Sequence, residues 1–455
     1  MRVTGSAPTG SDRGSLLDLR GRGVGVDPDQ RILDNGTGEK DGDARRRSIR
    51  RRCQQEPGGR REARGGMGVR ILIDGTAAVS GGGVYLDSLI DSLVEEGTAK
   101  ELLILHVDRP PGTRRDSPRT QIRYHAVRIP SFLALPGIPP GVWRTLWRGW
   151  ALPRWLERWR PDLFFSNSGE VPAQPNRSWR TVMAVHNSMP LRAELIREEP
   201  LVPLRLRLLA LRRSLHRSLQ QSDRAIVFSE DTAQLIRTVF PDVQTELTVI
   251  PHGIDWEPAP AGCGEEDPGA EGPPYLLCVS HFHRYKNLVR LIEAFATVAA
   301  VDPIVQLLLV GELVDKAYVG EVLQAIERHG LSDRVRILPG CPREELKSIY
   351  RRARLFVLPS LAETCSYPLL EAMALGLPIV AARISALPEI AGEAALYFQP
   401  EDPDDLARAI LAVLGDEMQA QRLSEAALHR SARFTLDRAM RQTREVFAEV
   451  VAQAS

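Results

Sequence analysis

Short apolar runs alternate with amphipathic segments along most of the chain. The first run, VRILID at 69–74, precedes a glycine-rich turn and then a segment whose apolar positions repeat at helical spacing. Comparable runs follow at 101–107, 162–167, 180–186 and 224–230. Apolar runs of this length are typical of strands buried on both faces of a parallel sheet. The alternation therefore predicts a doubly wound domain, in which ligands bind at the carboxyl ends of the strands.

A second series of the same kind begins after a loop at 258–274 that is rich in proline, glycine and acidic residues. Its apolar runs lie at 275–280, 305–311, 334–340, 353–360, 378–382 and 395–398, with helical segments such as 287–300, 317–329 and 343–353 between them. We expect an α/β protein with two Rossmann-like, doubly wound domains, at 67–255 and 256–435, that face each other across a cleft. A final helix, predicted at 437–452 in the closing segment 436–455, is expected to pack back on the first domain.

Residues 1–66 differ from the rest of the chain, because they are rich in arginine, glycine and aspartate and lack any apolar period. They contain the basic block RRRSIRRR at 45–52 and no apolar stretch of the kind found in a secretory signal peptide. Such a segment cannot bury enough apolar surface to offset its chain entropy, so we expect a disordered basic leader outside the fold. A basic arm that binds nucleic acid is the alternative interpretation.

The composition is that of an ordinary globular protein, with 43% apolar and 26% charged residues in 455 and a net charge of +1. Its five cysteines are odd in number and form no C-x-x-C pair. A reduced, cytoplasmic setting is therefore favoured over a disulfide framework or a zinc site. No run of 18 apolar residues is present that would suggest a membrane span.

Two glutamates, Glu363 and Glu371, flank a predicted helix start at Pro368. Proline suits the first helical position, where its missing N–H has no partner to lose. We expect Glu371 to lie in the first turn and to accept from a hydroxyl such as that of a ribose, since side chains lean toward the helix start. Glu363 precedes the turn and is expected to accept from sugar hydroxyls. The simpler alternative is that both glutamates merely favour a helix N-terminus.

The three residues before Pro368 are expected to present unpaired backbone amides. Cys365, Ser366 and Tyr367 would direct these amides, together with the helix dipole, at an anion such as a diphosphate. Ser366 or Tyr367 is expected to cap the helix. These three residues are therefore predicted to bind the diphosphate of a sugar-nucleotide donor.

This segment resembles a known family. Residues 363–392, ETCSYPLLEAMALGLPIVAARISALPEIAG, are similar to the donor-site segment of retaining glycosyltransferases of family four, which usually reads E-x-F-G-x-P-x-x-E-A-M-A-x-G-x-P-V. The matching positions are Glu363, Pro368, Glu371, Ala372, Met373, Ala374, Gly376 and Pro378. The chain departs at Cys365 and Ser366, where Phe and Gly are common, and this bears on the fine geometry of the donor. The resemblance implies the two-domain GT-B fold and sugar transfer with retained configuration and without a metal.

Other segments extend the resemblance to 280–295 and to the end of RTVMAVH. It implies that Lys286 places its ammonium on the donor diphosphate with support from Arg284, and that His186 faces the cleft. Glu363, Lys286 and His186 are thus the predicted catalytic residues. On the residues alone, a lysine at a helix start is often simply solvated, and a histidine at a strand end is often structural.

Three glycines complete the predicted donor site. Gly82 and Gly83 resemble the family's glycine-rich loop that lets backbone approach phosphates, and Gly311 ends a strand near the expected nucleotide. Many such glycines only form turns. His281 and His283 alternate as on a strand edge, but no acidic residue is spaced to complete a metal site with them.

Two segments, 141–160 and 205–217, combine arginine with tryptophan or leucine. Such surfaces occur at membrane interfaces, which would place the protein at the inner face of the membrane. The alternative is that the tryptophans pack into the first domain or line an acceptor pocket.

We therefore expect transfer of a hexosyl unit from a nucleoside diphosphate sugar to a glycan or polyprenyl-linked acceptor, similar to the mannosyltransferases of polysaccharide biosynthesis. The resemblance implies that the departing phosphate guides the acceptor hydroxyl to the same face of the sugar. We expect no metal, no organic cofactor and no nucleic-acid partner. The alternatives are a nucleotide-sugar-binding protein of the same fold without turnover, or a sugar-nucleotide epimerase.

Overall fold

The computed structural model describes residues 69–76, 81–107, 120–127, 140–173, 177–256 and 273–453. The leader predicted at 1–66 and most of the loop predicted at 258–274 lie outside these residues. Elements below are numbered along the described part of the chain.

The first half of the chain forms a parallel sheet of seven strands in the order β3-β2-β1-β4-β5-β6-β7. The strands are β1 Val69–Asp74, β2 Ala99–His106, β3 Gln121–Ala126, β4 Leu163–Ser166, β5 Arg180–Val185, β6 Arg224–Val227 and β7 Glu246–Val249. Its helices are α1 Gly81–Glu95, α2 Pro140–Trp150, α3 Leu152–Trp159, α4 Ala193–Glu198, α5 Val202–Gln220 and α6 Glu230–Val239. The strand order reverses between β1 and β4, where Ile71 lies opposite Leu163. In such sheets the crevice at this reversal is where ligands bind.

The second half repeats the architecture in a parallel sheet of six strands, in the order β10-β9-β8-β11-β12-β13. The strands are β8 Tyr275–Val279, β9 Gln306–Val310, β10 Val335–Leu338, β11 Leu355–Leu358, β12 Ile379–Ala382 and β13 Leu396–Phe398. Its helices are α7 Leu288–Val301, α8 Lys316–Arg328, α9 Arg343–Arg351, α10 Tyr367–Ala374, α11 Leu387–Ala391, α12 Pro403–Gly415 and α13 Glu417–Ser431. The reversal lies between β8 and β11, where Leu276 is opposite Leu355.

The last helix, α14 Leu436–Ala452, returns to the first sheet and packs against α1, β5 and β6. Phe447 contacts Phe165 of β4 with ring centroids 5.1 Å apart, and the Tyr85 hydroxyl of α1 lies 3.1 Å from the Thr443 hydroxyl. These aromatic side chains are fully or almost fully buried, and truncating such a residue to alanine typically costs about 3–5 kcal/mol.

The predicted fold class is confirmed: the chain has two doubly wound parallel sheets covered by helices. Two strands were missed, β3 and β7, and both are outer strands of the first sheet. Their sequences, QIRYHA and ELTV, carry polar residues because an outer strand is partly open to solvent. The rule that buried parallel strands form continuous apolar runs therefore does not apply to them.

The arginine- and tryptophan-rich segment forms helices α2 and α3, which meet at Ala151. Trp147, Trp155 and Trp159 are partly buried against an apolar cluster on the first sheet, so these three pack into the domain. Trp150 points outward instead, with 69% of its surface exposed. None of the helices in the described part of the chain combines the length and the hydropathy that a membrane span requires.

Candidate functional site

The loops that follow β8 and β11 meet at the reversal of the second sheet and bring Lys286 and Glu363 together. The Lys286 Nζ atom lies 2.6 Å from Glu363 Oε1, and the two side chains are only 13% and 10% exposed. Burial lowers the pKa of the Lys286 ammonium, but the adjacent Glu363 carboxylate more than offsets this effect, so the pKa is raised overall. Lys286 is therefore a fixed positive charge at the point where a doubly wound sheet binds ligands.

Asn287 holds Lys286 in place. The short 3₁₀ turn Arg284–Lys286 ends at Asn287, whose φ of 60° is in the left-handed region that asparagine tolerates better than most residues. The Asn287 Nδ2 group donates to the carbonyl oxygens of Pro359 and Pro400, at 3.1 and 2.9 Å. The turn is thus tied to the loop that carries Glu363. The sequence analysis missed this residue, although the Lys-Asn pair ahead of an apolar helix was a usable signal.

The N-terminus of α10 lies beside this ion pair and offers backbone amides. Within the described residues, no backbone or side-chain acceptor is bonded to the amides of Cys365, Ser366 or Tyr367. The helix begins at Tyr367, so Pro368 is its second residue and not the first as predicted. Ser366 occupies the N-cap position, as expected, but its hydroxyl makes no capping bond and is buried with no partner in the described part of the chain. Free amides at a helix start attract an anion.

Glu371 lies one turn further into α10 and contacts Tyr350 of α9. It is the fifth residue of the helix, so its predicted place in the first turn was wrong. The Tyr350 hydroxyl donates to Glu371 Oε2 at 2.9 Å. Burial raises the pKa of the Glu371 carboxyl to about 7, and the bond from Tyr350 only partly opposes this. A carboxyl group with a pKa near neutrality is common in functional sites.

The first domain contributes uncharged groups from the carboxyl ends of β4 and β5. His186 Nε2 lies 2.9 Å from Asn167 Oδ1, and Asn167 Nδ2 donates to the Gly82 carbonyl at 3.0 Å. Because the Asn167 amide is oriented by Gly82, its oxygen faces His186 and Nε2 must carry the proton. Burial lowers the pKa of His186 to about 3, so the imidazole is neutral. Gly82 and Gly83 form the first turn of α1 and not the predicted loop.

Aromatic rings connect the two domains at this point. His252, in the segment between the sheets, stacks on Phe228 of the first domain and on Tyr367 of the second, with ring centroids 3.9 and 4.5 Å apart. His252 is 3% exposed, as expected of a side chain that packs between the two domains. The Thr364 hydroxyl donates to the His186 carbonyl at 3.2 Å. The predicted catalytic histidine and the tip of α10 are thereby held close together.

Gly81, at the start of α1, allows the first domain to approach Tyr367 of α10 closely across the gap between the two domains. A Cβ atom added to Gly81 would lie 3.0 Å from Cδ2 of the Tyr367 ring. At Gly82 an added Cβ would lie 3.7 Å from Cγ of His186, which is an ordinary contact.

A buried charge network supports the first sheet beneath these groups, and the sequence analysis did not find it. Arg148 of α2 donates from Nε to Asp74 Oδ2 at 2.8 Å, from one terminal nitrogen to Glu170 Oε2 at 2.5 Å, and from the other to the Thr76 hydroxyl at 2.9 Å. Asp74 is fully buried; burial raises its pKa, but Arg148 and Thr76 lower it below its usual value. The network joins α2 to the ends of β1 and β4.

Two other predicted donor residues have partners within the protein. The Arg284 guanidinium forms a two-pronged ion pair with Glu321 of α8, at 2.6 and 2.5 Å. Gly311 has a φ of 152°, and an added Cβ would lie 2.0 Å from the Ser280 carbonyl oxygen, so this position needs glycine for packing alone. Their roles toward a donor stay predictions. In the described part of the chain, no group of three His, Cys, Asp or Glu side chains could hold a metal ion.

Chemically, the arrangement places a lysine ammonium and a set of free amides beside one carboxylate, and a second carboxyl group one helical turn away. A diphosphate suits the ammonium and the amides, and hydroxyl groups suit the carboxylates. The neutral, oriented imidazole of His186 lies on the other side of the gap.

Comparison with known proteins agrees with this geometry. The family described as Glycosyltransferase Family 4 matches residues 79–257, and Glycosyl transferases group 1 matches residues 265–430. The O-antigen chain mannosyltransferase B of Escherichia coli is 28% identical over 239 residues, which cover 51% of this chain and 62% of that protein. The MMP alpha-(1->4)-mannosyltransferase of Mycolicibacterium hassiacum is 29% identical over 240 residues, which cover 52% and 56%. The chain thus matches little more than half the length of these relatives.

Solved structures show the same fold. The sucrose-phosphate synthase of Thermosynechococcus elongatus superposes with a TM-score of 0.67 at 21% identity, covering 84% of this chain and 99% of that one. An Anabaena protein solved in complex with UDP-glucose gives 0.62 at 17% identity, covering 84% and 100%. With adjoining family matches on both domains, this chain belongs to the family-four glycosyltransferases of the GT-B fold.

Proposed function

We propose that the protein transfers a hexosyl unit from a nucleoside diphosphate sugar to a glycan or polyprenyl-linked acceptor, with retention of configuration and without a metal. The observation that carries the proposal is the Lys286–Glu363 pair beside the free amides of α10. The names of relatives, two of them mannosyltransferases, favour a hexose, and the Anabaena complex with UDP-glucose favours a nucleotide sugar.

Each residue has a role that follows from its surroundings. Lys286 and the amides of 365–367 stabilise the negative charge that develops on the departing diphosphate. Glu363 accepts from hydroxyls of the transferred sugar when the diphosphate draws Lys286 away from it. Glu371 accepts from the ribose hydroxyls. His186 does not act as a base at neutral pH in this proposal, because its Nε2 proton is bonded to Asn167; it positions the sugar.

Retention of configuration comes from the family and not from these distances. As the bond between the sugar and the diphosphate breaks, the departing phosphate oxygen takes the proton of the acceptor hydroxyl. The acceptor oxygen then bonds to the sugar on the face that the diphosphate leaves. This requires the acceptor to approach from the first domain, which contributes Gly82 and His186 to the gap. The fixed dipoles on both sides need no reorganisation as charge develops.

A donor screen followed by product analysis tests the proposal. Thermal shift with several nucleoside diphosphate sugars identifies the donor, because a ligand bound only by the folded protein raises its stability. Release of the nucleoside diphosphate is then measured with and without glycan and polyprenyl phosphate acceptors. Tight donor binding with no release would favour the binding protein, for which the Cys365 and Ser366 substitutions leave room. Formation of an isomeric nucleotide sugar would favour an epimerase.

The acceptor side bears on membrane contact, since α5 has an unusual exposed face. Val202, Leu206 and Leu209 follow one another at helical spacing and are 59%, 61% and 45% exposed. The same helix carries five arginines and no acidic residue: Arg205, Arg207, Arg212, Arg213 and Arg217. Leu146 and Trp150 of helix α2 are also exposed, but the contact proposed here is with α5. We propose that this face contacts an anionic membrane, where each arginine near the surface contributes about 1 kcal/mol.

Vesicle flotation tests this contact. Wild-type protein is expected to float with vesicles that contain phosphatidylglycerol and less with neutral phosphatidylcholine. Leu206→Glu/Leu209→Glu should abolish flotation, whereas Leu323→Glu/Met418→Glu, at exposed apolar positions of the second domain, should not. Equal flotation of both double variants would contradict the contact without affecting the proposed transfer. The cytoplasmic location expected from the cysteines stays a prediction.

A further inference from the structure

A cavity of about 210 Å³ lies at the seam between the two domains, away from the ion pair described above. From the first domain it is lined by the end of β7 and by α14, and from the second by α11 and the end of α13. Its polar lining is dominated by three arginines, Arg430, Arg433 and Arg438. Neither the family matches nor the proposed transfer assigns a function to these three arginines.

The cavity adjoins both places where the chain crosses between the domains. The Ile254 amide donates to the Phe434 carbonyl at 3.0 Å, and the Leu436 amide donates back to the Ile254 carbonyl at 3.0 Å. A Cβ atom on Gly253 would lie 2.3 Å from the Thr435 carbonyl oxygen, so the two crossings are in direct backbone contact. Arg433 lies in the second crossing and Arg438 in the first turn of α14 that follows it.

The charges around the cavity do not balance. Within the described residues, no carboxylate oxygen lies within 4.0 Å of a guanidinium nitrogen of these three arginines, whereas many other arginines of the chain have such a partner. Arg430 donates instead to the carbonyl oxygens of Glu389 and Ile390, both at 2.5 Å. Burial lowers the pKa of Arg430, and the like charge of Arg433 lowers it further.

The one carboxylate in the lining is already engaged. Glu389 accepts from the backbone amides of Glu230 and Asp231, at 2.8 and 3.0 Å, and so caps the N-terminus of α6 across the domain boundary. The positive end of that helix offsets part of its charge, and the rest acts on Arg430, whose pKa it raises slightly against the larger effects of burial and Arg433. Among the described residues that line the cavity, three guanidinium groups thus face one carboxylate, which leaves a net positive charge.

We infer that this cavity binds the phosphate group of a small phosphorylated molecule. Guanidinium groups match phosphate oxygens in geometry as well as in charge, and three of them converge here from both domains. The volume is below the roughly 300 Å³ of the smallest pockets that enclose drug-sized ligands, which suits inorganic phosphate or a hexose phosphate better than a nucleotide. A phosphate bound between Arg433 and Arg438 would join the second crossing to the first turn of α14.

Isothermal titration of the full chain in a phosphate-free buffer tests the site, with inorganic phosphate and glucose 6-phosphate as probes. We expect saturable binding of at least one probe, weakened about tenfold or more in Arg433→Ala/Arg438→Ala because charged hydrogen bonds are lost. Both side chains are exposed, so the double variant should fold. Arg328→Ala/Arg422→Ala removes the same charge from exposed positions elsewhere and should bind like wild type. The tighter of the two probes identifies the source of the phosphate.

Three results would overturn the inference: no saturable binding of either probe by wild type, equal binding by both double variants, or loss of binding in Lys286→Ala. The last result would place the phosphate in the donor site. Because Arg433→Ala/Arg438→Ala leaves the Lys286–Glu363 pair intact, a failure here would leave the proposed transfer standing. Conversely, a protein that binds no nucleotide sugar could still bind phosphate at the seam.

Discussion

The two domains share a strand order but use charge differently at the point where that order reverses. In the first domain, Arg148 is 6% exposed and each side-chain nitrogen donates to a protein oxygen, so its charge is fully used inside the structure. In the second, Lys286 has one hydrogen-bonded partner among the described residues, Glu363, at the edge of the cleft. A charge whose bonds are all internal supports the fold. A charged side chain that has one partner can exchange that partner for a ligand.

The most damaging change should be in the supporting network. Arg148→Ala leaves Asp74 buried without its counter-charge, and breaking a buried pair in this way typically costs about 3–5 kcal/mol of unfolding free energy. Urea denaturation followed by circular dichroism measures the loss. Arg158→Ala, on the exposed face of α3, is the control and should change stability by less than about 0.5 kcal/mol. Similar curves for the two variants would remove the distinction between the domains.

Lys286→Ala should act on turnover instead. If the ammonium stabilises the departing diphosphate, kcat should fall about 100-fold or more. Nucleoside diphosphate release at saturating donor measures the effect. Lys316→Ala, at the exposed start of α8, supplies the control and should retain wild-type kcat. A Lys286→Ala enzyme as active as wild type would show that the pair is another internal support.

If Glu371 accepts from a ribose hydroxyl as proposed, Glu371→Ala should weaken donor binding, because that buried hydroxyl loses its acceptor. A lost partner of this kind costs about 1–3 kcal/mol, which titration calorimetry with the donor can resolve. Tyr350→Phe separates the Tyr350 bond of Glu371 from its proposed ribose contact, since it removes the phenol hydroxyl and leaves the carboxylate. Unchanged affinity in Glu371→Ala would rule out the ribose contact.

The smallest effect should appear as a pH dependence. The pKa of Glu371 is raised to about 7, and in the proposed complex only the ionised carboxylate would accept fully from a ribose hydroxyl. Donor KM should therefore be about tenfold higher at pH 6 than at pH 8, as the ionised fraction falls. Folding stability should move the opposite way: because the folded pKa lies above the usual 4.5, stability is lost as pH rises from 4.5 through 7. Glu371→Gln should flatten both profiles; a sloping KM in that variant would assign the titration to another group.

The sequence was sufficient where physical rules act locally. Buried parallel strands require continuous apolar runs, so both sheets could be predicted except for their outer strands β3 and β7. The spacing around Pro368 located the start of α10 to within one residue. Lys286 and Glu363 were expected in one site, and their side chains are in contact although 77 positions separate them.

What the sequence could not predict depends on contacts between distant residues. Arg148 reaches Asp74 across 74 positions, and nothing in either segment identifies the other as its partner. Asn167 was not considered, because its function is to orient His186 and that requires knowing where β4 and β5 end. The resemblance implied that Arg284 supports Lys286, and nothing in the sequence indicated that its guanidinium also pairs with Glu321 on a neighbouring helix.

The bare α-carbon at the start of α1 sets how closely the two domains can approach. The Tyr367 ring is also packed against His252, on which it stacks with ring centroids 4.5 Å apart. A methyl group at Gly81 would lie 3.0 Å from that ring, which is closer than an ordinary contact. We therefore expect Gly81→Ala to move α1 and α10 slightly apart. A sugar that must pass between them tolerates little such spacing, because reacting atoms about 3–3.5 Å apart are needed for efficient transfer. The absence of a side chain at this one residue therefore sets how closely α1 and the tip of α10 approach at the proposed site.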